Sequence, residues 1–304
     1  MDPRIKKIED LSLNAWPSHQ IEFYDGWLLR FSYFYTHRTN CVEQIGIPAI
    51  PVDEKIRYVE ETYLRWGTPS VFKISPLIDS SFDALLASRG YQVEHSNDNM
   101  ILDFAENGSD HLISGTTEIG SDHLISGTVE SGGNYTFSGS DANENSDINA
   151  AESEKTAPRI GELPDGLRLE KGMFIPSAWI EALFALKGTT NVMHRQVVPS
   201  MYRAIPKETI CVDIRDRNRR IIGTGLGILD RDYVGVYAIH VHPDFRRMHL
   251  GRTIVQTILT EGCQRGARHA YLQVVCGNEP AAALYRSLGF HRLYTDYFRV
   301  LRNI

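Results

Sequence analysis

The chain of 304 residues reads as a mixed α/β (α+β) protein, with two folded regions joined by a disordered acidic linker. Three observations predict this. Its length is about twice that of an average single domain, enough for two hydrophobic cores. Helical spacing of apolar residues alternates with short β-branched and aromatic runs at both ends of the chain. Between those ends, Glu106 to Pro158 is rich in Gly, Ser, Asn, Asp and Glu and nearly empty of large apolar residues, so it cannot bury enough surface to offset the entropy of ordering. The expected division is therefore 1–105, 106–158 and 159–304.

In the first region Ile5, Ile8, Leu11 and Ala15 recur at helical spacing, and so do Ile56, Val59, Tyr63 and Trp66. Strand-like runs follow at Trp27 to Tyr33, Val71 to Ile74 and Asn99 to Phe104. In the second region a helix opens at Pro176 and carries Trp179, Leu183 and Leu186. Thr209 to Ile214 and Ile221 to Leu229 form a hairpin across Asp216, Arg217 and Asn218, and Tyr233 to Val241 is a third strand. A loop and a helix with Leu250, Ile254, Ile258 and Leu259 on one face come next, then a strand from Ala270 to Val275. The last helix runs from about Glu279 to Leu288, with Pro280 in its first turn, and the chain closes in a strand near Tyr297 to Leu301. Gly223, Gly225 and Gly227 mimic a dinucleotide-binding fingerprint, but no helix follows them, so they are expected to ease close strand packing.

The linker contains a tandem duplication of twelve residues, SDHLISGTTEIG followed by SDHLISGTVESG, from Ser109 to Gly132. Two such short units cannot stack into a solenoid. From Glu106 to Lys155 there are ten acidic residues and one basic, a balance of −9; set against the chain total of −6, the remainder carries +3. That slight excess argues against a nucleic-acid-binding surface and is compatible with a phosphorylated cofactor. No apolar run approaches the roughly 20 residues of a membrane span, and Met1 to Trp16 lacks the unbroken apolar core of a secretory signal. A cytoplasmic location is expected. Cys41, Cys211, Cys263 and Cys276 are scattered without metal or redox spacing and are read as reduced structural thiols.

Two segments carry chemistry. VHPDFRRMHLGR, Val241 to Arg252, lies between a strand and a helix and combines Arg246, Arg247 and Arg252 with Gly251 at the helix start, where free N–H groups and the helix dipole favour phosphate. NEPAAALYRSLGF, Asn278 to Phe290, puts Asn278 at a helix cap, Tyr285 two turns in, and Gly289 at the break before Phe290. Together they resemble the GNAT superfamily of acyl-CoA-dependent N-acyltransferases. That family places a pyrophosphate loop, Arg/Gln-x-x-Gly-x-Gly/Ala, between strand and helix. It follows this with Asn-x-x-Ala-x-x-x-Tyr-x-x-x-Gly-Phe. Arg246, Gly251, Asn278, Ala281, Tyr285, Gly289 and Phe290 fall at matching places, over roughly Gly223 to Arg299.

The resemblance implies two GNAT-like mixed-sheet domains and acetyl-CoA as co-substrate. It implies that Arg246, Arg247, Met248, His249, Leu250, Gly251 and Arg252 hold the pyrophosphate, and that Ile239, His240 and Val241 pair with the pantetheine arm. Asn278, Ala281 and Tyr285 would then face the acyl-CoA. The implied reaction is acetyl transfer to a primary amine of a small molecule or peptide by direct attack on the thioester. Tyr285 would serve as general acid to the leaving sulfur, and a backbone N–H near Val241 would meet the oxyanion. The alternative is an acyl-CoA-binding sensor that has lost catalysis.

One position departs from the family: His249 stands where the loop's first glycine is expected, and histidine visits left-handed conformations more readily than most residues. A second departure concerns the base. Some members use a glutamate on the strand before the loop, but Gly235 holds that place here, with Asp230 and Asp232 nearby. Simple alternation puts Tyr237, Ile239 and Val241 on one face and His240 with His242 on the other, so His240 is expected to point away from the substrate and deprotonation to run through water. His240 and His242 lack a third ligand, so no metal is expected. Asp83 to Phe104 resembles Ala282 to Leu301, with Leu86 in the place of Tyr285 and no pyrophosphate loop upstream. The segment Gly26 to Val42 is similar to the N-terminal half of tandem GNAT proteins. The first region is thus expected to be a degenerate copy that walls the acceptor pocket through Trp27, Arg30, Tyr35, Thr36, Arg38 and Asn40.

Overall fold

The computed structural model describes residues 1–105 and 163–302, so the expected linker and its repeat lie outside the described residues. The N-terminal helix α1 (Pro3–Ala15) starts where Asp2 accepts the Arg4 N–H at 2.8 Å, with Pro3 in its first turn. It buries Ile5, Ile8, Leu11 and Ala15, the stripe that the spacing predicts. Strands β1 (Gln20–Tyr24), β2 (Trp27–Phe31) and β3 (Val42–Gln44) follow, then α2 (Val52–Arg65), β4 (Ser70–Ile74), α3 (Ser80–Ser88) and β5 (Gln92–Asp103). The second half holds β6 (Arg168–Gly172), α4 (Ser177–Lys187), α5 (Val192–Arg203), β7 (Glu208–Arg215), β8 (Ile221–Asp230) and β9 (Tyr233–Val241). It ends in α6 (Leu250–Gln264), β10 (His269–Val275), α7 (Glu279–Ser287) and β11 (His291–Leu301).

All eleven strands form one mixed sheet in the order β1-β2-β3-β4-β11-β5-β10-β9-β8-β7-β6. Each half is a mixed sheet ending in a parallel pair, β3 with β4 and β9 with β10. Its final helix then leads into a strand that crosses to the other half. β11, the end of the chain, pairs antiparallel with β4, while β5 pairs antiparallel with β10. The two exchanged strands pair with each other in the middle. Neither half is completed by its own last strand.

The exchange is lined with buried polar groups. Lys73 on β4 reaches Glu9 of α1 at 2.6 Å and Asp296 of β11 at 3.6 Å. Asp296 also accepts from Asn97 and Asn99 of β5 at 2.9 Å each, and Asn99 accepts from Gln273 of β10 at 2.8 Å. Burial works against the Lys73 ammonium, but the Glu9, Glu43 and Asp296 carboxylates outweigh it and hold its pKa above the ordinary lysine value.

Helix α6 packs on β7, β8 and β9, with Ile254, Ile258 and Leu259 in a core that includes Val212, Val234, Val236, Ala281 and Tyr285. The β8 glycines permit this approach, so what they ease is the packing of a helix on the strand rather than of strand on strand. A Cβ at Gly225 would stand 2.2 Å from Ile254 Cγ2, and one at Gly227 2.7 Å from Ile258 Cγ2. On the opposite face α1 and α4 cover β8 and β9, with Trp179, Leu183, Phe184, Trp16 and Tyr35 in a second core. Among the described residues no helix is long and apolar enough to cross a membrane, and the four cysteines are free.

Candidate active site

The site is built where β9 and β10 separate. Their parallel pairing ends at Val236 with Leu272. Just beyond, β9 carries a bulge: Leu226 of β8 faces Tyr237, while Thr224 faces His240. Ala238 inside this bulge has φ +52°, a left-handed conformation that costs an alanine about 1–2 kcal/mol. The Thr224 hydroxyl donates to the Ala238 carbonyl at 3.1 Å. Among the described residues, β9 past this point bonds to β8 on one edge only, and β10 bonds to β5 as far as Val275. The facing edges of the two strands diverge into a notch through the sheet, with β9 backbone groups available along one wall.

The bulge also overturns simple alternation. Val234 and Val236 face α6, and after the extra residue so do Ile239 and Val241. His240 therefore shares the opposite face with Tyr237 and points into a cleft, rather than away from it. The cleft, about 450 Å³ including its open mouth, is lined by Trp16 and Arg38 of the first half and by Leu183, Lys187, Tyr202, Val236, Tyr237, Ala238, His240 and Gln273. His240 is 9% exposed, and its Nε2 is buried with no hydrogen-bond partner. Burial, then the positive charges of Lys187 and Arg246, push its pKa down to about 3, so its ring is neutral near pH 7. The Gln273 Oε1 is likewise buried without a partner.

On the other face lies the loop into α6. After the short turn Pro243–Phe245, Arg246 is extended, Arg247 has φ +59° and His249 φ +57°. His249 thus adopts the left-handed conformation otherwise favoured by glycine, and no side chain caps the start of α6. The first-turn N–H groups of Leu250, Gly251 and Arg252 head the helix dipole there. Arg246 Nε is buried and unpartnered beside them, with Arg247 exposed and Met248 packed on the α6 core. Arg252 donates to the Ser287 hydroxyl at 2.5 Å, tying the head of α6 to the end of α7. An orphaned guanidinium nitrogen beside an uncapped helix start suits a diphosphate.

Helix α7 holds the second motif. Asn278 caps it, its Oδ1 accepting the Ala281 N–H at 3.3 Å. Ala281 and Tyr285 are buried on the α6 face, where burial pushes the Tyr285 phenol above its ordinary value. Tyr285 and His240 therefore lie on opposite faces of the sheet, with the notch between them.

The place of the family glutamate is filled. A Cβ at Gly235 would stand 2.7 Å from Tyr271 Cζ and 2.6 Å from Tyr237 Cε2. The hydroxyls of those two tyrosines are 2.6 Å apart. Asp230 and Asp232 are engaged at the hairpin end, Asp230 with Asn14 and Lys207, and Asp232 with Lys7. His242 caps the following turn, accepting from the Asp244 N–H at 3.3 Å. Three possible metal ligands do gather elsewhere, at His37, Glu94 and His95, but Glu94 is held by Arg302 at 2.8 Å.

Of the six expected wall residues in the first half, Arg38 lines the cleft. Tyr35 supports it, its hydroxyl accepting from Lys187 at 3.3 Å. Arg30 and Asn40 brace the turn that carries Arg38: Arg30 donates to the Arg38 and Trp16 carbonyls, and Asn40 accepts from the Ser32 N–H at 2.6 Å and donates to the Thr36 carbonyl at 2.6 Å. Trp27 belongs instead to the core of the first half, edge-on to Phe72 and Phe82. Trp16 and Gln273 escaped the sequence reading. Neither Trp16 nor Gln273 belongs to a motif that the sequence analysis singles out.

Residues 181–290 match the model of the acetyltransferase (GNAT) family. A stretch of 60 residues is 38% identical to the ribosomal protein bS18-alanine N-acetyltransferase of Escherichia coli (strain K12), covering 20% of this chain and 40% of that relative's length. Over 298 residues the chain is 22% identical to the uncharacterized N-acetyltransferase YobR of Bacillus subtilis (strain 168), covering 98% of this chain and 99% of YobR. In fold it is similar to a GCN5-related N-acetyltransferase from Kribbella flavida, with TM-score 0.59 at 13% identity over 99% of this chain and 95% of that one. It is also similar to a tandem GNAT protein from the clavulanic acid biosynthesis pathway, with TM-score 0.55 at 12% identity over 86% and 75% of the two chains.

Proposed function

We propose that the chain, whose residues 181–290 match the acetyltransferase (GNAT) family, moves an acetyl group from acetyl-CoA to a primary amine by direct attack on the thioester. In this reading 159–304 carries the chemistry, and 1–105 supplies one wall of the acceptor cleft and the strand beside β10. The observation that carries the proposal is the notch between β9 and β10, with the buried, unpartnered Arg246 Nε and a helix start lacking a side-chain cap bond on one face and a cleft with two buried, unpartnered polar atoms on the other.

Acetyl-CoA supplies a thioester carbonyl as electrophile. Arg246 and the first N–H groups of α6 hold the diphosphate, and the edge of β9 from Ile239 to Val241 bonds the amides of the pantetheine arm. A backbone N–H near Val241 meets the oxyanion as a fixed dipole. The amine nitrogen bonds to the acetyl carbon, the C–S bond breaks with its pair on sulfur, and Tyr285 gives that sulfur a proton. The amine's own proton leaves to water at the cleft and solvent returns one to the Tyr285 phenolate, which leaves an amide, a free thiol and the phenol restored. With Gly235 in the place of a carboxylate, no side-chain base is required of the strand.

Calorimetry with coenzyme A, alongside thiol release from acetyl-CoA in the presence of amines, tests the reading. A saturable complex and amine-dependent thiol release are expected; absence of the complex would overturn it.

A further inference from the structure

Away from the loop and the notch, His37, Glu94 and His95 bring one ligand atom each within 4.8 Å of one another. His37 belongs to the short turn His37–Thr39 of the first half, and Glu94 and His95 to the exchanged strand β5. Neighbours on a regular strand point to opposite faces, so Glu94 and His95 could not share a ligand there. A bulge removes that obstacle. Between the pairs Asn97–Asp296 and Glu94–Phe298, β5 has two residues, His95 and Ser96, against the single Tyr297 of β11. His95 takes φ +51° within the bulge, and its Nε2 lies 3.8 Å from Glu94 Oε2.

The third side chain supplies an independent sign of a ligand. His37 is 8% exposed, and its Nε2 is buried with no hydrogen-bond partner. A buried polar atom in that state costs free energy until something satisfies it. It stands 3.4 Å from the same Glu94 Oε2. Atoms held about 2.0–2.1 Å from a tetrahedral zinc lie about 3.3 Å from one another, so the contacts at 3.4 and 3.8 Å are already near that spacing. The remaining edge, between the two histidines, closes by movement of His95, the most exposed of the three. The two imidazole rings are 4.4 Å apart between centroids, and Phe34 and Phe298 wall His37 at 5.2 and 5.3 Å. Glu94 and His95 are half-buried, which leaves an entry path from solvent.

Glu94 has a competitor for its charge. Arg302, just past β11, donates to Glu94 Oε1 at 2.9 and 3.1 Å and to Oε2 at 2.8 Å. Its side chain is 60% exposed, so this ion pair contributes little and is readily given up to solvent. We infer that His37, Glu94 and His95 form a binding site for a divalent transition metal of the zinc class, with water in the fourth position and Arg302 as the competitor that the ion displaces from Glu94. Two imidazoles and one carboxylate suit zinc rather than magnesium or calcium, which take oxygen ligands. The ion would fasten the turn His37–Thr39 to β5. Arg38, the next residue on that turn, lines the acceptor cleft, so the clasp would fix part of the wall that the first half supplies. The inference stands apart from acetyl transfer and does not depend on it.

The test is titration of the full chain with zinc after treatment with a chelator, read by competition with a chromophoric chelator. One tightly held zinc per chain is expected. Glu94→Gln keeps the shape of its side chain and loses the charge, while His95→Gly removes a ring at a backbone angle that glycine adopts freely. Each should weaken binding by about a hundredfold or more, since losing an outer-shell partner alone costs up to about that factor. Arg302→Gln should do the opposite and tighten binding by about two- to fivefold, the factor that an exposed ion pair is worth. Excess zinc should raise the Tm of the native chain and of Arg302→Gln by a few degrees and leave that of His95→Gly where it was. Failure of both the native chain and Arg302→Gln to hold zinc would overturn the inference. So would zinc held undiminished by Glu94→Gln and His95→Gly, which would place it at other histidines. Unchanged affinity in Arg302→Gln would overturn the competition for Glu94.

Discussion

At the scale of single residues, the site depends on side chains held in unfavourable surroundings. Tyr285 is buried and its phenol stays protonated at neutral pH, as a proton donor to sulfur must. Tyr285→Phe keeps the ring and its edge contact with Phe290, so the fold should be unaffected. The turnover number should fall about a hundredfold or more, the span of a lost general acid, with little change in the coenzyme A dissociation constant. Equal turnover would make the ring a packing residue. Arg246→Met should do the reverse, weakening coenzyme A about tenfold or more, since a charge-assisted bond is worth about 1.5–3 kcal/mol. His240, facing Lys187 and Arg246, and His37, facing His95, Arg302 and Glu94, both have pKa values pushed down to about 3, chiefly by burial. An unfolded histidine takes a proton near pH 6.5, whereas these two in the folded chain do so only near 3, so the unfolded state binds more protons across that window. Stability should be flat above about pH 7 and fall as the pH drops below 6.5, by about 1.4 kcal/mol per pH unit for each histidine. Denaturant unfolding at pH 7.5 and 5.5 measures this; no difference between the two would mean that neither ring is buried neutral.

At the scale of elements, the motifs were legible and the irregularities were not. The helices α6 and α7 and the loop before α6 could be placed from Arg246, Gly251, Asn278 and Tyr285, because phosphate binding and helix capping demand particular residue types at particular spacings. The bulge in β9 left no such mark: an alanine gives no hint of a positive φ, so the faces of His240 and Ile239 were exchanged in the sequence reading. Strands β1, β3 and β6 were also missed. β1 and β6 are edge strands with half-exposed residues, and β3 has three, so none shows a clear period. Helix α5 escaped because Pro199 sits inside it. The glycines of β8 were read as easing strand packing, and their contact with α6 yields a prediction. Gly225→Ala puts a Cβ against the stiff, branched Ile254 of α6. It should cost about 1–3 kcal/mol in denaturant unfolding. It should also raise the KM for acetyl-CoA, because α6 can yield only by shifting the helix start that the proposed function gives to the diphosphate. A loss of stability with unchanged KM would show that the helix head is anchored independently of β8.

At the scale of the whole molecule, the two halves were legible as a repeat whose first copy walls the pocket, but the exchange of their last strands was not. Asp83 to Phe104 and Ala282 to Leu301 look alike because each is a helix followed by a strand; nothing in either shows which sheet its strand will join. That choice is made by long-range chemistry: Asp296 of β11 meets Lys73 of β4 and Asn97 and Asn99 of β5, and Arg299 of β11 meets Asp83 of α3 at 2.7 Å. Removing the buried cation alone, by Lys73→Met, strands Glu9 and Asp296 without a counter-charge and should cost about 3–5 kcal/mol. The exchange has a further consequence for the connection between halves. β5 lies between β11 and β10, and β11 between β4 and β5, so two separate pieces would hold each other by three antiparallel ladders. Replacing the first copy of the repeat, Ser109 to Gly120, with a protease site and cutting it should therefore leave one species of unchanged size on gel filtration. Its Tm should stay within a few degrees of the intact chain, and its thiol release should be undiminished. Only denaturant should part the pieces. If they separate under native conditions, each half completes its own sheet, and Arg38 and Trp16 would then be lost from the acceptor cleft when the first half leaves.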